Sequence, residues 1–152
     1  MLTAVDTVVY TIGYEGVAID TFLRKLKASK IKQVIDVRRN PISRKPGFSK
    51  RRLQEELATI GVEYVHIPQL GIPSSMRREL HSLEDYKSLF DEYEKTILPD
   101  AQEYKEHAIQ LLTEKPSALL CFESTPCYCH RSRLAGVIAN ETGFVQKHIQ
   151  FD

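Results

Sequence analysis

"LLCFESTPCYCHRSRLAGVIA", residues 119–139, carries the reading on which the fold turns. An apolar run that begins at Ala118 stops at Cys121. Glu123, Pro126, Cys127, Cys129, His130 and Arg131 follow within ten residues, and then Leu134, Val137 and Ile138 take up helical spacing. A short apolar strand that feeds a helix through a polar loop is one half of a βαβ unit.

The same unit recurs on both sides of it. Thr7–Ile12 is β-branched and ends at Gly13. Ile19, Phe22, Leu23 and Leu26 then form a helical stripe, and Gln33–Val37 is a second short strand. A loop rich in proline and arginine, Arg38 to Phe48, leads to Ser49 as an N-cap and to the stripe Leu53, Leu57 and Ile60. Val62–Ile67 alternates as a third strand. Tyr86, Leu89, Phe90, Tyr93 and Ile97 make a helix that Pro99 is expected to break, and Tyr104, Ala108, Leu111 and Leu112 begin another. Ala118–Cys121 is the fourth strand, and the stretch from Val145 to Phe151 offers a fifth. Strands alternating with helices predict one α/β domain over residues 1–152, a mainly parallel sheet of about five strands with helices on both faces.

Composition limits the function classes. The net charge is +1 over 152 residues, so the chain as a whole is no electrostatic magnet. The charge is unevenly spread: Val37 to Gln54 contains seven cations and no acid. That predicts a local anionic ligand. No run is long enough to span a membrane. The opening Met-Leu-Thr-Ala-Val-Asp lacks the order of a secretory leader, and three cysteines make a poor disulfide framework. The expectation is therefore a cytoplasmic chain with reduced thiols.

In an open parallel sheet, ligands bind beyond the carboxyl ends of the strands. Those ends hold Gly13, Tyr14 and Glu15; Asp36, Arg38 and Arg39; His66; and Glu123 to Arg131. Cys127, Cys129, His130 and Arg131 stand at or just before a helix start, where free amides and the helix dipole favour anions and lower a thiol pKa. Arg38 and Arg44 present planar forks that suit phosphate or carboxylate, and Ser49 adds the amides of a second helix start. Asp36 is read either as orienting an arginine or as a general base. Glu123 is read either as a catalytic carboxylate or as a salt-bridge partner of Arg38 or Arg131. His66 closes a strand as a hydrogen-bonded core histidine, and Cys121 ends one as a core residue.

Narrower motifs fare less well. Cys127 and Arg133 have the Cys-x5-Arg spacing of a phosphatase loop but no glycine between them. A zinc site built from Cys127, Cys129 and His130 is too compact without a distant fourth ligand, for which His66 is the one candidate. Neither a GxGxxG nor a GxxxxGK[ST] loop occurs. No metal is assigned, and no cofactor is identified.

Four stretches taken together resemble the DUF488 family: "YTIGYEG" at 10–16, "IDVRRNPISRKPGFSKRRL" at 35–53, "GVEYVHIPQLG" at 61–71 and "LLCFESTPCYCHRSRLA" at 119–135. The resemblance implies a small cytoplasmic α/β protein. It marks Gly13, Asp36, Arg38, Pro41, Ser43, Arg44, Phe48, Ser49, His66, Leu70, Gly71, Glu123, Cys129, His130 and Arg131. Tyr14-Glu15 stands where many members carry His-Ser.

The leading expectation is a thiol-dependent enzyme acting on an anionic, phosphate-bearing small molecule or nucleotide. Arg38, Arg44 and Arg131, with Ser49, Gly13 and His66, form its anion site. Cys129 or Cys127 is the nucleophile, and His130, Asp36 or Glu123 handles protons. The alternative is a nucleic-acid-binding module in which the segment 38–52 contacts phosphates and Phe48 or Tyr14 stacks on a base.

Overall fold

The structure is a computed structural model, and it describes residues 7–77, 79–123 and 129–151. Five strands form one parallel sheet: β1 (Val8–Gly13), β2 (Gln33–Asp36), β3 (Glu63–His66), β4 (Ser117–Cys121) and β5 (Val145–Ile149). Their spatial order is β3-β2-β4-β1-β5. β4 therefore enters between β1 and β2, which are consecutive in the chain. Gly13 lies opposite Cys121 and Asp36 opposite Leu120, so three strand ends meet at one rim.

The interior strands β2 and β4 are buried along their whole length, as strands of a parallel sheet covered on both faces are. The helices divide between the two faces. α1 (Ile19–Ala28) and α2 (Lys50–Ala58) bring Phe22, Leu26, Leu53 and Leu57 onto Ile12, Val34, Ala118 and Leu120. α3 (Leu83–Glu92), α5 (Gln102–Glu114) and α6 (His130–Thr142) bring Leu89, Phe90, Leu112, Leu134 and Ile138 onto Val9, Ile35 and Leu119. The predicted α/β class and the helices on both faces are what the structure has. β5 is shorter than the stretch offered for it and stops at Ile149.

Pro99 does not break the third helix. α3 continues through a π-turn, Tyr93–Ile97, into a last short turn, α4 (Leu98–Asp100), where the proline occupies a first-turn position. A first-turn residue needs no intrahelical N–H bond, so proline is tolerated there. The helix ends instead at Ala101, whose backbone leaves helical values at φ −110° and ψ 26°.

Ser49 does stand at the N-cap of α2, but its side chain does not cap it. Its hydroxyl donates to the Ser43 carbonyl at 3.1 Å and accepts from the Ser43 amide at 2.9 Å. Those two bonds close the loop between β2 and α2 on itself. Phe48 anchors the same loop. It is fully buried, stacked on Tyr14 with centroids 4.3 Å apart and edge-on to Phe22 at 5.1 Å.

Candidate anion site at the carboxyl rim of the sheet

A cavity of about 350 Å³ opens at the rim where β1, β2 and β4 end. Tyr14 follows β1, and Arg38, Arg39, Ser43 and Arg44 come from the loop after β2. Cys121 ends β4, Phe122 and Glu123 follow it, and His130 opens α6. Arg77 reaches in from the long connection after β3. The location is the one that β4 creates by entering between β1 and β2.

Beneath the cavity lies a buried ion pair. Asp36 is fully buried and Arg38 is 7% exposed. Arg38 Nε donates to Asp36 Oδ1 at 2.8 Å, and Nη2 donates to Oδ2 at 2.7 Å. The remaining Nη1 donates to Tyr14 Oη at 3.0 Å and to the Phe48 carbonyl at 2.7 Å. Tyr64 donates its hydroxyl to Asp36 Oδ2 at 2.5 Å. Burial works against the Arg38 charge, but the bonds and charge of Asp36 outweigh it and hold the guanidinium above its ordinary range. Burial, with the Asp36 charge added, pushes the Tyr64 hydroxyl up and keeps it a donor.

This arrangement separates roles that the sequence left open. Asp36 orients Arg38, and its oxygens are occupied by Arg38 and Tyr64. Arg38 touches the cavity, yet its fork is held by the protein itself. His66 Nε2 bonds the Arg38 carbonyl at 2.7 Å and does not line the cavity, so it props the loop from beneath. Ser49 likewise shapes the loop and stands off the cavity wall.

Arg131 is fully buried and does not line the cavity. Its Nη1 donates to the Glu123 carbonyl and to Cys121 Sγ, the latter at 3.4 Å. Burial pulls its guanidinium down to about 10, still cationic at neutral pH. Arg131 thus locks the chain that leaves β4. Gly13 is what lets it do so. A Cβ on Gly13 would overlap the Glu123 carbonyl and meet Arg131 Nη1 at 2.9 Å. Gly13→Ala is expected to lower stability by about 1–3 kcal/mol, read as a fall in the urea midpoint at constant slope.

His130 is buried and neutral. Burial first, and the nearby Arg77 charge second, push it down to about 3. A protonated imidazole is therefore not what lies beside the sulfurs. His130 Nε2 donates to the Val37 carbonyl at 2.9 Å, which leaves Nδ1 as an acceptor 3.4 Å from Arg77 Nη2.

The expectation of three reduced thiols does not hold here. Cys121 and Cys129 are joined as a disulfide, with their Cα atoms 7.1 Å apart. Their positions explain it: Cys121 ends β4 and Cys129 is the N-cap of α6, so strand and helix start converge. In this form Cys129 offers no nucleophile. Cys121, read as a core residue, is indeed buried but also forms part of the cavity wall. Cys127 lies outside the described residues. The phosphatase-like spacing loses its arginine, because Arg133 bonds Asp91 at 2.8 Å, with Glu94 also 3.7 Å away.

Two arginines of the cavity wall, Arg39 and Arg44, have no ion-pair partner among the described residues. Arg44 is exposed on the loop. Arg39 is half-buried, and its Nε is buried with no hydrogen-bond partner among the described residues. Arg77, a residue that the sequence reading missed, pairs through Nη1 with Glu123 Oε1 at 3.1 Å. Glu123 is therefore a salt-bridge partner, though of Arg77 and not of Arg38 or Arg131, and its Oε2 is buried without a partner among the described residues. The aromatic rings offered for base stacking are not available: Tyr14 is 2% exposed and Phe48 is fully buried. Arg51 and Arg52, at the far end of the basic segment, pair with Glu55 and Glu56 on their own helix.

Among the described residues, no helix is long and apolar enough to cross a membrane. Comparison with curated proteins and with solved structures returned no match. The family model for the domain of unknown function DUF488 matches residues 18–138, a span that holds every cavity residue except Tyr14. That match, which covers most of the chain, makes this protein a member of the DUF488 family.

Proposed function

We propose that the cavity binds a small phosphate-bearing anion, free or as part of a nucleotide, and that the protein acts on it as an enzyme. One observation carries the reading. Among the described residues, four arginines, Arg38, Arg39, Arg44 and Arg77, line a cavity whose lining includes one carboxylate, that of Glu123. Asp36 offsets Arg38 and Glu123 offsets Arg77, which leaves the charge of Arg39 and Arg44 for a ligand. Arginine forks bond phosphate oxygens in pairs. The half-exposed ring of Phe122 gives the same cavity an apolar wall for the rest of the molecule. Chemistry on the bound anion falls to the reduced form of the Cys121–Cys129 pair, since the disulfide carries no thiolate.

Calorimetric titration with inorganic phosphate and with a nucleoside monophosphate tests the reading. Arg39→Ala and Arg44→Ala should each weaken binding about 10-fold or more, the equivalent of one lost charged hydrogen bond at about 1.5–3 kcal/mol. Affinity equal to the wild type in both variants, or no binding by the wild type at low salt, would remove the proposal.

A further inference from the structure

Beside the cavity lie donor atoms that anion binding does not use, two of them on residues of its wall, Cys121 and His130. Cys121 Sγ, Cys129 Sγ and a ring nitrogen of His130 all lie within 4.8 Å of one another, and all three residues are buried. His130 Nδ1 stands 4.0 Å from Cys129 Sγ. The Val37 carbonyl holds the opposite nitrogen, Nε2, as a donor. A backbone carbonyl in that position is the usual outer partner of a metal-binding histidine, because it fixes the tautomer and aims the free nitrogen. Arg131 donates to Cys121 Sγ, which favours the thiolate.

We propose that, once the disulfide is reduced, Cys121, Cys129 and His130 Nδ1 hold one soft divalent ion of the zinc class. Its fourth position is open to the arginine-lined cavity, because Cys121 and His130 both form part of the cavity wall. Three protein ligands with an open fourth position is the arrangement of a metal that meets a substrate.

A dithiol reductant forms the site. It exchanges with the Cys121–Cys129 bond, two electrons and two protons pass to the pair, and the dithiol leaves as its own disulfide. The ion then displaces the two thiol protons into solvent. Arg77 Nη2 stands 3.4 Å from Nδ1 and must give way. Glu123 Oε2, buried and without a hydrogen-bond partner among the described residues, is its nearby acceptor, since the same guanidinium already bonds Oε1. Two thiolates and Glu123 then offset Arg77, Arg131 and the divalent ion to within one positive charge.

The ligands are not the anion-binding arginines, so the two readings fail separately. The test is a cobalt(II) titration of protein reduced with a dithiol and freed of it without oxygen. Reduced wild type should take up one equivalent, with thiolate-to-cobalt charge-transfer absorption. Cys121→Ser and Cys129→Ser should lose the band, and Cys127→Ser should keep it. Absence of the band in reduced wild type overturns the proposal and requires no variant to fold. Persistence of the band in Cys121→Ser, or its loss in Cys127→Ser, overturns this ligand set. Phosphate titration of the same reduced sample reports on the anion reading by itself.

Discussion

Arg38→Ala is expected to destabilise the protein by about 3–5 kcal/mol, the effect of leaving one partner of a buried ion pair without the other. Asp36 is fully buried, and Arg38 supplies three of its four hydrogen bonds: from Nε, from Nη2 and from its own backbone amide. The alanine variant keeps the amide and Tyr64 but leaves a carboxylate in the interior with no cation beside it. The same substitution removes the donor to Phe48 and so frees the loop that carries Arg39 and Arg44. Arg38→Lys keeps the charge but not the fork and should fall between the two. The apolar double variant Asp36→Leu with Arg38→Met should lose much less than the sum of the single losses, because neither charge is then left buried alone. Urea denaturation measures all of this, and a deficit under about 1 kcal/mol would show the pair to be unimportant.

Phe48→Ala is the second large effect, about 3–5 kcal/mol for an aromatic residue removed from a packed interior. The ring is fully buried, with Tyr14 stacked on one side at an interplanar angle of 6° and Phe22 edge-on. Its loss also reaches the cavity. Phe48 is the buried end of a loop whose other residues are half-buried or exposed from Arg39 to Gly47, so the loop is held mainly from this point. Phosphate affinity should fall along with stability. Phe48→Leu keeps most of the apolar volume and should lose less than half as much of each. A variant that is destabilised yet binds phosphate as the wild type does would mean the loop is fixed from elsewhere.

The fold was readable because its strands are short β-branched or apolar runs ending at glycine or at polar clusters, as at Ile12-Gly13 and Leu120-Cys121. The strand order was not readable. The insertion of β4 between β1 and β2 is a long-range packing outcome, and no local signal in Ser117–Cys121 carries it. The same gap explains what the sequence left open at the site. Arg38 looked like a ligand for an anion because cations after a strand end usually face one. The carboxylate two residues earlier was in view, but only the fold shows it buried beneath that arginine. Cys121 looked like core because it closes an apolar run, and only the approach of α6 gives it a sulfur partner. Arg77 was missed because it sits in an irregular stretch eleven residues after β3, with no periodicity to aim it. Pro99 was read as a breaker, since a π-turn that makes proline harmless leaves no trace in residue spacing.

The most direct measurement is a crystal structure of the protein grown with inorganic phosphate. The account predicts a phosphate in the cavity, with its oxygens within about 3 Å of the Arg39 and Arg44 guanidiniums. Phosphate bound only elsewhere on the surface, with both arginines turned away into solvent, would contradict it.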